Sequence, residues 1–253
     1  MELELWQFAV LFAAAFFGGF IDSIAGGGGL ISLPALLAVG VPPHVAIATN
    51  RFQGSFGSFT AALNFIRKGY VGVAEILRGV VFTFIGGLVG AYILLLIDAK
   101  FLNYLIPILL LALLLYMIFS PNLGEAPAKP KMSKNSFYAI FGLVLGFYDG
   151  FFGPGTGSFW TFALVGILGL YMKKAVAHTK VLNFTSNIVS LGVFIIGGQI
   201  LWLVGAVMAV GQIAGSFAGS SLVMRCDVKF VRKMLLFVVA ATILKLLYGL
   251  IAS

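Results

Sequence analysis

Four charged residues stand where an apolar chain tolerates them least: Asp22, Arg51, Asp149 and Lys180, each inside or at the edge of a hydrophobic run. Ionisable groups in such surroundings are costly and mark substrate or ion paths. Both acids introduce a glycine cluster. Gly19-Phe20-Ile21-Asp22-Ser23-Ile24-Ala25-Gly26-Gly27-Gly28-Gly29 recurs at a constant offset of 127 residues as Gly146-Phe147-Tyr148-Asp149-Gly150-Phe151-Phe152-Gly153-Pro154-Gly155-Thr156. Each block ends one apolar run and starts a shorter one, Leu30 to Val39 and Gly157 to Leu168. A duplicated break inside hydrophobic segments points to a transporter's binding site.

The chemistry such a break offers is anion binding. Non-helical backbone survives at membrane depth only against protein or a wet cavity, and glycine makes the turn because it reaches positive φ without a steric penalty. The helix that restarts presents unpaired amides and its positive dipole end. The expected donors are Gly28, Gly29, Leu30 and Ile31 in the first block. In the second they follow Gly155, from Thr156 to Phe159, with the Thr156 and Ser158 hydroxyls added. Two such ends facing one another hold a small tetrahedral or pyramidal anion.

Arg51 and Lys180 occupy matching places, in Ala46-Ile47-Ala48-Thr49-Asn50-Arg51 and Ala175-Val176-Ala177-His178-Thr179-Lys180. Two roles are open to them: supplying positive charge to the ligand, or neutralising the acid of their own half. Asp22 and Asp149 either cap the breaks by accepting backbone N–H bonds or carry protons for coupling, a role also open to His178. Asn50, Thr179 and Asn183 are placed with the ligand. Gln53, Asn64, Asn187 and Gln212 are further polar groups in apolar runs, expected to line a cavity, and His44 is expected to be exposed.

The elements that position these residues follow from composition. Hydrophobic residues make up 61% and charged residues 9% of the 253-residue chain, against roughly 45–50% and about 25% in soluble domains. Six uninterrupted runs approach or exceed the ~20 residues a spanning helix needs: 45–66, 74–97, 101–119, 175–197, 201–224 and 228–251. Two more, 5–21 and 136–148, end at the glycine clusters. The N-terminus carries Glu2 and Glu4 without Lys or Arg, so it does not read as a signal peptide and the first segment is expected to be retained.

Charge then orders the loops. If each broken segment is a re-entrant hairpin and the six runs cross fully, one face collects Arg67, Lys68, Arg78, Lys129, Lys131, Lys134, Lys173, Lys174, Arg225, Lys229, Arg232 and Lys233, and the other only Lys100. The positive-inside rule makes the basic face cytoplasmic and both termini periplasmic. Arg51, Lys180 and Lys245 remain within spans. Each half then has an odd number of spans, so the expected fold is all-α: two inverted repeats, 1–119 and 137–253, each a broken hairpin plus three transmembrane helices, joined by a cytoplasmic linker at 120–136. Gly86 and Gly90, matched by Gly211 and Gly215 and extended by Gly219, read as close-packing positions.

The net charge of +8 is explained by these loops, so no nucleic-acid partner is expected. One cysteine, Cys226, and two histidines are a poor kit for a metal, and neither metal nor cofactor is expected.

The two Gly-Phe-x-Asp-x-x-x-Gly-x-Gly blocks, the Ala-x-Ala-Thr-Asn and Ala-x-Ala-His-Thr-Lys openings and the four-plus-four layout resemble the sulfite exporter TauE/SafE family over essentially the whole chain. That resemblance implies a bacterial inner-membrane carrier of sulfur oxyanions or organosulfonates, such as sulfite. The expected partners are the bilayer and a small anion, and a homodimer is one assembly the sequence leaves open. The second block departs from the first in carrying Pro154 where the first has Gly27. No Walker motif is present, so an ion or proton gradient is the expected drive. An anion channel and a carrier of another small anion, such as a carboxylate, are the alternatives. An enzyme is not expected: Ser158 with His178 is the one conceivable hydrolytic pair, and Ser158 lacks a Gly-x-Ser-x-Gly elbow.

Overall fold

A computed structural model describes residues 3–98, 100–102, 105, 106, 108, 109 and 129–225. The expected span 228–251, most of 101–119, linker positions 120–128, both chain ends, Cys226, Lys229, Arg232, Lys233 and Lys245 lie outside the described residues.

The described chain is helical, without a strand. In order, the helices are α1 (Leu5–Ala25), α2 (Gly29–Ala38), α3 (Pro43–Arg67), α4 (Val73–Leu96), α5 (Lys134–Phe151), α6 (Thr156–Gly166), α7 (Met172–Ile196) and α8 (Trp202–Arg225). Four of them, in α1, α4, α7 and α8, are long and apolar enough to cross a bilayer. α3 matches α7 in length but carries Asn50, Arg51, Gln53 and Asn64. Polarity runs opposite to that of a soluble protein: Tyr92, Val210 and Phe217 are exposed while Arg51, Lys180 and Asp149 are buried. This is an all-α, multi-pass membrane protein.

Two sequence expectations shift. The runs at 5–21 and 136–148 do not stop at the acids, because α1 continues to Ala25 and α5 to Phe151. Asp22 and Asp149 therefore sit in the last turns of helices. Moreover α1 is no shortened arm, since Leu5–Ile24 has the length of a span.

The chain nevertheless doubles back after each acid. α2 returns along α1, with Gly18 facing Gly28 and Ser32. Gly26 and Gly27 hold φ of +75° and +148° in the first turn, and Gly153 and Gly155 hold +93° and +81° in the second, a region glycine enters freely. The two turns meet each other. Gly26 abuts the backbone of Gly157 and Ser158, and Gly29 abuts Pro154, so neither place has room for a larger residue.

Bare glycine surfaces also set the helix pairings. Gly86 and Gly90 of α4 lie on the carbonyls of Leu143 and Phe147 in α5, and Gly215 and Gly219 of α8 lie on those of Phe16 and Phe20 in α1. The small residues let backbones touch, as their spacing predicts. The pairings run parallel, and α3 also runs parallel to α8, from Phe52 beside Gly205 to Asn64 beside Ser220. Apolar cores flank the turns on either side, one around Leu11, Leu33 and Phe194, the other around Phe65, Trp160 and Leu182.

At one end of the bundle the starts of α4, α5 and α7 are tied by ions. Glu75 pairs with Lys134 at 3.2 Å and Lys174 at 2.8 Å, and Lys173 donates to the Met224 carbonyl of α8 at 3.1 Å. Loops expected on the basic face thus share one end.

Candidate functional site

Between the hairpin tips lies a small polar cavity. Its lining comes from α1 (Asp22), α2 (Gly29, Ser32), α3 (Asn50, Arg51, Gln53, Gly54), α5 and its turn (Asp149, Gly153, Pro154, Gly155), α6 (Gly157), α7 (Asn183, Asn187) and α8 (Gln212). It leaves about 40 Å³ for the centres of water-sized groups. Such a volume has room for a small ion.

Each cation crosses to the acid of the opposite block. Arg51 Nη1 donates to Asp149 Oδ1 at 2.7 Å and to Asn187 Oδ1 at 2.8 Å. Lys180 Nζ donates to Asp22 Oδ2 at 2.8 Å and also to the Asp22 main-chain carbonyl. Pairing within each half, one of the two roles read from the sequence, is therefore overturned. The reason is that the acids sit at the very tips, where each hairpin reaches the other half's long helix.

The two pairs differ in what remains open. Lys180 is fully buried and does not line the cavity; its ammonium serves Asp22. Arg51 lines the cavity, and its Nε and Nη2, both buried, have no hydrogen-bond partner among the described residues. Those two atoms form the side-on edge of a guanidinium, the geometry that grips an oxyanion with two parallel bonds. Gly153 allows it, since a Cβ there would fall on the Arg51 guanidinium.

The acids differ as well. Asp22 Oδ1 accepts the amides of Gly27 at 3.1 Å and Gly28 at 3.3 Å, so it caps the first break as well as binding Lys180. Among the described residues Asp149 accepts no such amide, and its side chain is bound by Arg51 and the Ser186 hydroxyl.

The helix-start amides are arranged otherwise than expected. Leu30 and Ile31 donate to the carbonyls of Gly27 and Gly28 at 2.9 and 3.0 Å, Thr156 to Gly153 at 3.1 Å, and Ser158 and Phe159 to Gly155 at 2.9 and 3.3 Å. Tight first turns satisfy amides that an ordinary helix start leaves unpaired. The Thr156 hydroxyl donates to the Gly153 carbonyl at 2.6 Å and the Ser158 hydroxyl to that of Gly26, which bolts one tip to the other. Gly28, Leu30, Thr156 and Ser158 thus build the tips, while Gly29 and Gly155 line the cavity.

Of the remaining expected residues, Asn50 and Asn183 line it and Thr179 does not; Thr179 lies 3.1 Å from the Thr161 hydroxyl. His178 belongs to another cluster, with Nδ1 2.8 Å from the Tyr138 hydroxyl and Nε2 3.9 Å from Glu75. It faces α4 and α5 because it lies two positions from Lys180 on a helix, on a different side. Ser158 and His178 consequently form no hydrolytic pair. His44 is half-buried, not exposed. Gln53, Asn187 and Gln212 line the cavity, whereas Asn64 ties α3 to Ser220 and Ser221 of α8 at 2.8 and 3.1 Å. Ser32 and Ser186 escaped the sequence reading. Ser186 was detectable by its helical spacing, three residues after Asn183 on the same face.

Comparison with known proteins agrees with this architecture. The family model of the sulfite exporter TauE/SafE matches residues 11–246. A "Probable membrane transporter protein" of Haemophilus influenzae is 42% identical, covering 98% of this chain and 97% of the relative. "Probable membrane transporter protein YfcA" of Escherichia coli is 44% identical over 94% of this chain and 89% of its own. A third relative, "Probable membrane transporter protein ORF9" of Sinorhizobium sp, is 41% identical over 97% and 94% respectively. No solved structure matches. A match over residues 11–246, nearly the whole chain, makes this protein a member of the sulfite exporter TauE/SafE family.

Proposed function

We propose that this protein is a secondary transporter of a small sulfur oxyanion, sulfite or a sulfonate, across the bacterial inner membrane, and that it binds its cargo in the cavity between the hairpin tips. One observation carries the reading: a buried, cavity-lining Arg51 whose Nε and Nη2 have no hydrogen-bond partner among the described residues. An unpaired buried donor is costly, and an oxyanion supplies two acceptors at the right spacing. Family membership favours sulfur as the central atom.

The inverted-repeat reading, with units 1–119 and 137–253 about the linker 120–136, is supported by the exchange of partners. α1 packs on α8 as α5 packs on α4, through carbonyls of Phe16 and Phe20 in one case and Leu143 and Phe147 in the other. Alternating access follows as one hairpin and its partners rock against the other around the shared cavity. A proton or ion gradient drives the cycle, and the end that gathers Lys134, Lys173 and Lys174 is cytoplasmic.

Calorimetric titration of the purified protein with sulfite, sulfate, sulfoacetate, thiosulfate and acetate tests the proposal. Binding of at least one sulfur oxyanion is expected, weakened more than tenfold in Arg51→Ala. Binding of acetate alone, or equal affinity in the variant, refutes the assignment.

A further inference from the structure

The two carboxylates at the tips look equivalent in the sequence and are not equivalent in space. Asp22 is bound on both oxygens and through its own main chain: two amides hold Oδ1, and Lys180 holds Oδ2 and the carbonyl together. Nothing in that arrangement changes when a ligand reaches Arg51. Asp149, by contrast, shares a cation with the candidate ligand edge, since Nη1 serves Asp149 while Nε and Nη2 of the same guanidinium have no hydrogen-bond partner among the described residues.

Before any anion arrives, the cavity's charges balance, with Arg51 against Asp149 and Lys180 against Asp22. A monoanion on the open edge of Arg51 sets two negative groups on one buried cation. Like charges so close in a poorly hydrated site repel strongly. Among the described residues no further cation lines the cavity. Around Asp149, α3 contributes Arg51 and Asn187 of α7 stands beside it, α4 meets α5 at this depth with Gly87, and across the cavity Lys180 is already committed to Asp22. The neighbouring titratable group, Tyr148, donates its hydroxyl to the Pro154 carbonyl at 2.9 Å.

Resting on the anion-site reading above, we propose that Asp149, and not Asp22, takes up the proton that travels with the anion, because ligand and Asp149 compete for the single guanidinium of Arg51. The proton enters from the aqueous side that delivers the anion and lodges on Oδ1 as the Arg51 bond there loosens. Asp149 then becomes a donor able to bond an oxygen of the anion, while Oδ2 keeps the Ser186 hydroxyl. One monoanion and one proton add no net charge, so each loaded crossing is electroneutral. Release on the far side returns Asp149 to Arg51 as the proton departs.

The test uses methanesulfonate, a monoanion whose own charge does not change with pH. In weakly buffered detergent solution, a pH indicator reads proton uptake as the probe binds. Wild type is expected to take up about one proton per probe, and over the pH range where that uptake occurs its affinity is expected to fall about tenfold per pH unit. Asp149→Asn is expected to bind with no proton uptake and a flat pH profile. Glu75→Gln, outside the cavity, keeps the wild-type ratio. Proton uptake persisting in Asp149→Asn, or wild type binding without uptake, overturns the inference while leaving the anion site standing. No binding of methanesulfonate to wild type, with sulfite and sulfoacetate equally silent, overturns the anion site and the inference with it. Should Asp149→Asn fail to fold, wild-type proteoliposomes decide: methanesulfonate flux driven by a pH gradient and indifferent to a potassium–valinomycin potential is expected, and flux that follows the potential refutes the coupling.

Discussion

Arg51 and Asp149 stand 98 positions apart in the chain and form a 2.7 Å ion pair with both side chains almost wholly buried. The pair joins α3 to the end of α5, and Nε and Nη2 of the same guanidinium are buried with no hydrogen-bond partner among the described residues. Binding and architecture therefore meet in the same bond.

Removing the cation alone strands a buried carboxylate. Arg51→Ala is expected to lower stability by about 3–5 kcal/mol, the usual cost of breaking one partner of a buried pair. The double variant Arg51→Met with Asp149→Leu should recover most of that loss without recovering anion binding. Chemical denaturation and calorimetry read the two effects separately. Arg51→Lys keeps the charge but not the fork, and more than a tenfold loss of affinity is expected from it.

Gly153 answers a different question, whether the turn or the charge sets the site. Its φ of +93° and its contact with the guanidinium forbid a side chain, so Gly153→Ala should abolish anion binding. Gly40 has a comparable φ of +86° and open space around it. Gly40→Ala is expected to cost only about 1–2 kcal/mol of backbone strain and to bind as wild type. Equal affinities in the two variants would show that the tip geometry does not matter.

Lys180 was placed by sequence with the ligand, yet it stands behind Asp22. Lys180→Ala is expected to destabilise the protein by about 3–5 kcal/mol by leaving Asp22 uncompensated. Pairing it with Asp22→Asn should restore much of the stability, since an uncharged amide no longer needs the ammonium. Thermal unfolding of the single and double variants measures the coupling, and simple additivity would contradict a direct partnership.

Orientation is testable with cysteines in a Cys226→Ala background. Pro42, before α3, and Lys68, after it, are exposed and lie at opposite ends of that helix. A membrane-impermeant maleimide should label Pro42→Cys on intact spheroplasts and Lys68→Cys only after permeabilisation. The reverse pattern would invert the map.

How far the amino-acid order reached is seen best in the tips. Glycine clusters after an acid predicted a turn, and the turns at Gly26–Gly27 and Gly153–Gly155 are there, because glycine accepts those φ values freely while backbones touch. The small-residue spacing of Gly86, Gly90, Gly215 and Gly219 likewise predicted helix contacts that exist. Repetition, composition and local stereochemistry are properties of the chain read in one dimension, and they sufficed for an all-helical membrane protein and for part of the cavity lining, such as Asn50, Arg51 and Asn183. Which acid faces which cation was beyond them. A repeat written twice in sequence suggests that each half serves itself, whereas meeting tips bring each carboxylate nearer the other half's helix. Rotation of α7 carries His178 toward Glu75 and Lys180 toward Asp22, and tight first turns satisfy amides that a free helix start would offer. Only the tertiary packing decided that two Arg51 donors have no partner among the described residues while the Lys180 ammonium is committed to Asp22, since distance across the fold, not along the chain, selects electrostatic partners.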